Sequence, residues 1–130
     1  MPLKIDVEER EGPNGRLAQV VRIAGELDNT SWQAAAAALK PVLDAPFPHV
    51  VLSLHDLTFV SSAGVAVLLD ARKKLEERHV AVSAVGMRPP IRKVFDIMRT
   101  LPAAKIFTSV AELDEYLTAM QRKAEDDDEE

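Results

Sequence analysis

The first quarter of the chain alternates apolar and polar residues in the way that strands do. Residues 3–8 (Leu-Lys-Ile-Asp-Val-Glu) predict a half-exposed strand, and residues 17–23 predict a second one. Between them lies the run Glu11–Gly15, where Gly, Pro and Asn occur together as they do in tight turns. We therefore predict an antiparallel hairpin. The Asp-Asn-Thr run at 28–30 contains good helix caps, so a helix is expected next.

The predicted first helix carries an apolar stripe. Trp32, Ala36, Leu39 and Leu43 recur at i, i+4, i+7 and i+11, which places them on one side of an amphipathic helix. Pro41 lies inside this stretch and lacks the N–H that a helix interior uses for its hydrogen bond. We therefore expect the helix to be kinked or interrupted at Pro41.

The middle of the chain follows the order strand, helix, strand. Residues 49–54 predict a short buried strand, residues 62–78 a helix with one apolar side, and residues 80–85 a second buried strand that ends at Gly86. Two strands joined through a helix are expected to pair in parallel through a right-handed crossover.

The C-terminal third predicts two more helices. Arg88-Pro89-Pro90 gives a rigid entry into one of them, and Thr108 or Ser109 caps the other. A short edge strand is predicted between the two helices, at residues 105–108. The apolar positions are Ile91, Val94, Phe95 and Met98 in the first helix, and Leu113, Tyr116, Leu117 and Met120 in the last.

These elements predict an α/β fold with a small mixed β-sheet. An N-terminal hairpin is followed by parallel crossover units, and about four helices pack against the sheet. With 130 residues, of which 47% are hydrophobic, the chain is long enough to bury a core as a single domain. We place this domain at residues 1–124.

Charge is concentrated at the C-terminus. Residues 125–130 are all acidic and hold six of the 21 acidic residues, which leaves 15 acidic against 16 basic residues elsewhere. This segment is predicted to be a disordered tail that either promotes solubility or binds a basic partner. Arg88, Arg92 and Arg99 also have two interpretations, as a contact for an acidic partner or as a solvated helix face.

Several classes of function lack the residues that they need. There is no Cys, and His49, His55 and His79 lack metal-ligand spacing, so we expect neither a metal site nor a cofactor. Nucleotide-binding and nucleophile-elbow motifs are missing and the basic residues are dispersed, so we expect neither an enzyme nor direct nucleic-acid binding. No signal peptide or membrane-spanning run is found, so we expect a cytoplasmic protein without membrane insertion.

The candidate functional site is the junction near residue 61. Ser61 or Ser62 is predicted to cap the helix that begins there. The free N–H groups and the positive end of the helix dipole favour an anion at this position, so a phosphate on either serine is physically well placed. A serine at a strand-to-helix junction is also common as a plain cap, and that interpretation stays open.

Four segments occur in the order of the predicted elements and form a recognisable set. They are Gly25-Glu26-Leu27-Asp28, Asp56-Leu57-Thr58-Phe59, Ser61-Ser62-Ala63-Gly64-Val65 and Arg92-Lys93-Val94-Phe95-Asp96. Together they resemble the STAS domain, and within that family they look most like the bacterial anti-sigma factor antagonists. The resemblance covers about residues 3–120.

That resemblance implies that Ser62 is the phosphorylation site, with Ser61 as the runner-up. Around the switch, relatives read Asp, then a hydroxyl residue, then a second Ser or Thr, and then Gly-Leu-Gly. In this chain Ser61 replaces the Asp, Ala63 replaces the second hydroxyl residue, and Ala66 replaces the second Gly. Asp28 either belongs to the partner surface or simply caps the first helix. The partner-binding residues that the resemblance implies are Asp28, Asn29, Ser61, Ser62, Ala63, Gly64 and Val65.

The mechanism implied by the resemblance is partner switching. The unphosphorylated protein binds an anti-sigma factor that is also a serine protein kinase, phosphorylation of Ser62 separates the two, and a PP2C-type phosphatase resets the system. The helix dipole is expected to accommodate the phosphate, so the domain should switch without refolding. The alternative is a non-catalytic STAS scaffold subunit of a transport, stressosome-like or signalling complex.

Overall fold

The computed structural model of the protein describes residues 2–100 and 109–128, which form five strands and four helices. The mixed sheet and the four helices confirm the predicted fold class. The strand predicted at residues 105–108 lies outside the described residues. In chain order the elements are β1 (Lys4–Gly12), β2 (Gly15–Leu27), α1 (Trp32–Asp44), β3 (His49–Ser53), β4 (Leu57–Val60), α2 (Ser62–Glu77), β5 (Ala81–Val85), α3 (Pro89–Thr100) and α4 (Val110–Asp128).

The sheet is organised around β2. β1 pairs with it antiparallel through a tight turn at Pro13 and Asn14, and Gly15 supplies a positive φ of 106° after that turn. β3 pairs with β2 in parallel, and β5 pairs with β3 in parallel, which gives the order β1-β2-β3-β5. The predicted hairpin and the predicted parallel pairing are both confirmed.

The sequence prediction missed β4, a four-residue strand directly before α2. β4 pairs in parallel with Gly25–Leu27, the last residues of β2, which lie beyond the predicted end of that strand. The register shifts between Gly25 and Glu26, and Gly25 has a φ of 92°, so β2 changes neighbours at an irregularity. A strand of this length has too little alternation of its own to be recognised from sequence.

The core lies between one face of the sheet and the helices. Along β2, Val21 and Ile23 are buried, whereas Arg22 between them is exposed. The apolar positions predicted in the helices after β3 are largely confirmed. The buried ones are Val65, Leu68 and Leu75 in α2, Ile91, Val94 and Phe95 in α3, and Leu113 and Leu117 in α4.

The buried face of α1 differs from the predicted stripe. Its core-facing residues are Ala35, Leu39 and Val42, so only Leu39 belongs to both sets. Residues 34–38 are all alanine, and five apolar residues in succession do not reveal which side of the helix faces the core. Pro41 lies in the last turn, and α1 continues through it to Asp44 without interruption.

The prediction that residues 80–85 form a buried strand was wrong for most of its length. Val80 is buried, but Ala81, Ala84 and Val85 are exposed. Within the described part of the chain β5 is the last strand in the sheet order and has β3 as its neighbour. An apolar run therefore predicted the strand correctly, but did not show that the strand lies at the end of that order.

The last helix begins where it was predicted to begin. The Ser109 hydroxyl accepts a hydrogen bond from the Glu112 N–H at 3.1 Å, so Ser109 acts as the cap. α4 continues to Asp128, so the backbone of residues 125–128 is helical where a disordered tail was predicted. Extending an existing helix adds a hydrogen bond per residue without a new nucleation step, and this offsets the unfavourable interaction of the acidic residues with the negative end of the helix dipole. The function of that segment stays a prediction.

A histidine occupies the left-handed position at the end of α2. The Val80 N–H donates to the Leu75 carbonyl at 3.0 Å and the His79 N–H to the Glu76 carbonyl at 2.9 Å, which is the pattern of a Schellman motif. His79 has a φ of 62°, a conformation that glycine adopts at lower cost than other residues.

We predict that His79→Gly stabilises the protein by ~0.5–1 kcal/mol, because relief of the left-handed strain exceeds the added entropy of the unfolded chain. Urea unfolding of the variant beside the unsubstituted protein measures this difference. His79→Ala is the control, since alanine keeps a Cβ in the strained conformation. Equal stabilisation by Ala and Gly would contradict the explanation.

Candidate functional site

Of the two serines predicted to cap α2, Ser61 is the one that does so. Its backbone is extended, and its hydroxyl accepts a hydrogen bond from the Gly64 N–H at 3.2 Å. The Ser61 N–H donates to the Leu27 carbonyl at 2.9 Å, which joins the end of β2 to the start of the helix. Ser62 is therefore the first helical residue, and its hydroxyl does not serve as the cap.

Gly64 lets the first turn of α2 lie directly against the ends of β2 and β4. A Cβ atom at this position would stand 2.7 Å from the Leu27 carbonyl oxygen and 2.9 Å from Cγ2 of Val60. Both distances are shorter than van der Waals contact, and the interior is too densely packed to move aside easily. Packing therefore requires the absence of a side chain at Gly64.

A carboxylate from the last helix binds the N–H of Ser62. Asp114 of α4 accepts this hydrogen bond through Oδ1 at 2.9 Å, and its Oδ2 lies 3.4 Å from Nδ2 of Asn29. An acidic group is favourable here because it meets a free N–H and the positive end of the helix dipole. The anion-favouring position at Ser62 thus already holds an anion that belongs to the protein itself.

A second polar side chain of α4 pairs with the backbone of β4. Oε1 of Gln121 accepts a hydrogen bond from the Val60 N–H at 3.0 Å, and Nε2 donates to the Val60 carbonyl at 2.7 Å. Gln121 is 4% exposed, so this pairing satisfies two backbone groups inside the protein. The side-chain amide thus supplies the donor and the acceptor that the backbone of a neighbouring strand would otherwise supply.

Sequence reasoning missed both Asp114 and Gln121. They are seven residues apart and therefore lie on the same side of α4, with the fully buried Leu117 between them. The available signal was a pair of polar residues beside the apolar stripe of a helix. That signal does not reveal the partner groups, because Ser62 and Val60 lie in a distant part of the sequence.

Asp28 organises the turn that leads into α1. Its Oδ1 accepts hydrogen bonds from the Thr30 hydroxyl at 2.7 Å and from the Thr30 N–H at 2.8 Å. These bonds, above all the one from the hydroxyl, hold the pKa of Asp28 below its usual range. The N-cap of α1 is Ser31, so Asp28 stabilises a turn before the helix rather than capping it.

The two segments predicted to bind a partner lie together, although only part of them reaches the surface. The bond between Ser61 and Leu27 places the loop after β2 beside the start of α2. Asn29 is exposed, and Asp28 and Ala63 are half-buried. The buried members of the set are Ser61, Ser62, Gly64 and Val65.

An apolar groove of about 380 Å³ runs between α1 and α2. Ala63 and Ala66 line it from the first turns of α2, so the groove begins beside Ser62. Trp32 and Leu43 line it from α1; they belong to the predicted stripe of that helix, are half-buried, and pack at the edge of the core.

The predicted arginine face lies mainly along another cavity. Arg92 and Arg99 border a space of about 310 Å³ between α2, β5 and α3, and Nε of Arg88 donates to the His55 carbonyl at 3.1 Å.

Within the part of the chain that the structure describes, no three His, Asp or Glu side chains are grouped so that they could hold a metal ion. No helix formed by the described residues has the length and apolar character needed to cross a membrane.

Comparison with known proteins identifies the family. Residues 4–113 match the family model for the STAS domain, so this chain belongs to the STAS family. A curated relative, the anti-sigma F factor antagonist of Paenibacillus polymyxa, is 29% identical over 98 residues. The aligned region is 75% of this chain and 80% of the relative.

Two solved structures share the fold. An anti-sigma factor antagonist from Mycobacterium paratuberculosis has a TM-score of 0.59 at 23% identity, over 91% of this chain and 95% of that one. The Bacillus cell fate determinant SpoIIAA in its phosphorylated form has a TM-score of 0.57 at 23% identity, over 72% of this chain and 82% of that one. At these identities the similarity establishes the fold.

We predict that Gly64→Ala lowers stability by about 1–3 kcal/mol, because the added methyl group collides with a carbonyl oxygen and a buried side chain. Urea unfolding provides the measurement. Gly12→Ala is the matched control, since a Cβ at Gly12 meets its nearest neighbour at 3.9 Å and its φ is not positive. If both variants are as stable as the original protein, the close approach at Gly64 is not a constraint.

Proposed function

We propose that this protein is an anti-sigma factor antagonist whose binding is controlled by phosphorylation of Ser62, with Ser61 as the second candidate acceptor. One observation supports Ser62 over its neighbour. Ser61 uses its hydroxyl to cap α2, whereas the Ser62 hydroxyl is not used for capping. The similarity to the antagonist of Paenibacillus polymyxa supports the class of partner, an anti-sigma factor.

In this proposal Ser62 is a substrate and not a catalyst. Its Oγ attacks the γ-phosphorus of ATP bound to a partner serine kinase, the new O–P bond forms, and the bond to the ADP oxygen breaks while a base of the kinase takes the hydroxyl proton. The product carries about −1.5 to −2 additional charges at pH 7. A PP2C-type phosphatase reverses the modification by transferring the phosphoryl group to water.

The partner surface that we propose surrounds the start of α2. Asp28, Asn29 and Ala63 are its accessible members, and the groove between α1 and α2 continues it with apolar area. A partner that covers this area must remove water from any charge at Ser62, which is unfavourable unless the charge is paired. Phosphate at Ser62 therefore opposes binding, while the buried Gly64 and Val65 contribute by fixing the shape of the surface.

We predict that Ser62→Ala keeps the affinity of the unphosphorylated protein for its anti-sigma factor, whereas Ser62→Asp lowers that affinity by about tenfold or more. The physical reason is the desolvation of a fixed negative charge at the interface. Isothermal titration calorimetry with both variants measures the difference, and circular dichroism checks that both are folded. Equal affinities would refute the proposed control by charge.

Phosphotransfer tests the site directly. The protein is incubated with Mg-ATP and a candidate serine-kinase anti-sigma factor from the same organism, and the phosphate is located by mass spectrometry. Phosphate at Ser62 supports the proposal, and phosphate at Ser61 selects the second candidate. Absence of phosphate combined with stable co-purification with a transporter ATPase would overturn the proposal in favour of the scaffold alternative.

A further inference from the structure

We propose that Asp114 couples the phosphorylation of Ser62 to the docking of α4. In this inference the phosphate repels the Asp114 carboxylate and loosens the docking of the beginning of α4 against the start of α2. The inference rests on the proposed function, because it concerns what a phosphate at Ser62 does within the domain.

The first argument is that both anions use the same hydrogen-bond donor. Oδ1 of Asp114 lies 2.9 Å from the Ser62 nitrogen. A phosphate on the Ser62 hydroxyl is attached a few bonds from that same nitrogen, and phosphates bind N–H groups at helix N-termini for the same reason as carboxylates do. Because the phosphate carries more charge and is tethered at this position, it displaces the carboxylate.

The second argument is that no positively charged group among the described hydrogen-bond partners of Asp114 offsets the repulsion between its carboxylate and a phosphate. Its two partners among the described residues are the Ser62 N–H and the side-chain amide of Asn29, and both are neutral. Like charges at this separation repel strongly, and more so where protein displaces water. A phosphorylated serine next to an acidic side chain is a destabilising arrangement for that contact.

The third argument is the difference between the two polar anchors of α4. Asp114 binds near the beginning of the helix through a charge, whereas Gln121 binds Val60 through a neutral amide about two turns later. The buried Leu113 holds the first turn of α4 through apolar packing, and the fully buried Leu117 holds the middle of the helix. The phosphate therefore opposes the polar anchor at Asp114, and the part held by Leu117 and Gln121 stays docked.

The same contact also affects how Ser62 is modified. Ser62 is 7% exposed, so a kinase reaches its hydroxyl only if neighbouring groups move. Coupling between two equilibria is reciprocal: if phosphate favours detachment of α4, detachment favours a state that accepts phosphate. The Asp114 contact thus holds the start of α4 over the acceptor in the unphosphorylated protein.

Hydrogen exchange measured by mass spectrometry tests this inference on the full chain. Phosphoserine is placed at residue 62 by genetic encoding, so that no kinase is needed. We expect amide exchange in residues 110–116 to accelerate about tenfold on phosphorylation, with a smaller change beyond Leu117. Asp114→Asn in the phosphorylated protein should remove most of this acceleration, because the neutral amide is not repelled by the phosphate and can donate a hydrogen bond to it.

Glu115→Gln is the matched control, since it removes one negative charge from an exposed position on the same turn of α4. This variant should retain the acceleration. Unchanged exchange in residues 110–116 after phosphorylation, or equal effects of Asp114→Asn and Glu115→Gln, would overturn the inference. Titration of the same phosphorylated sample with the anti-sigma factor separates the two ideas: full binding refutes the proposed function, whereas a change in α4 exchange still supports the coupling.

Discussion

The candidate site depends on one close approach, that of the first turn of α2 to the end of β2. The Ser61 N–H binds the Leu27 carbonyl at 2.9 Å, and a Cβ at Gly64 would stand 2.7 Å from the same oxygen. This single carbonyl therefore fixes both the start of the helix and the residue type one turn later. Because the loop that begins at Asp28 follows Leu27 directly, the same contact brings that loop beside Ser62. The contact of the first turn of α2 with Leu27 therefore determines which residues surround Ser62.

The last helix, α4, adds a third segment to the site formed by the loop after β2 and the start of α2. Asp114 binds the start of α2, and Gln121 satisfies the free backbone groups of Val60 at the end of β4. From the sequence we expected the helix dipole to accommodate a phosphate at Ser62 without refolding the domain. In the structure a carboxylate already accepts the hydrogen bond from the N–H that such a phosphate would use. In the coupling that we propose, a charge added at Ser62 therefore acts on α4 as well as on a partner.

Local patterns predicted the elements that have patterns of their own. The hairpin, a serine cap at residue 61 or 62 and the apolar faces of α2 and α3 follow from periodicity and capping preferences within a few residues. β4 was missed because it exists through its pairing with Gly25–Leu27 after an irregularity in β2. Asp114 was missed for a related reason: its partner, the Ser62 N–H, is 52 residues away in sequence. What sequence reasoning did not predict was long-range pairing, and that pairing completes the site.

The position of the negative charge beside Ser62 distinguishes this chain from the antagonist pattern that it resembles. In that pattern an Asp directly precedes the phosphorylated residue, whereas here Ser61 stands at that position and caps the helix with a neutral hydroxyl. The carboxylate nearest the Ser62 N–H comes from Asp114 instead. An acid on the preceding residue stays beside the acceptor in the chain, however its side chain turns. An acid on α4 reaches the acceptor from a separate element, whose first turn is also held by the buried Leu113. In the coupling that we propose, supplying the charge from another element makes the repulsion act on the docking of a helix.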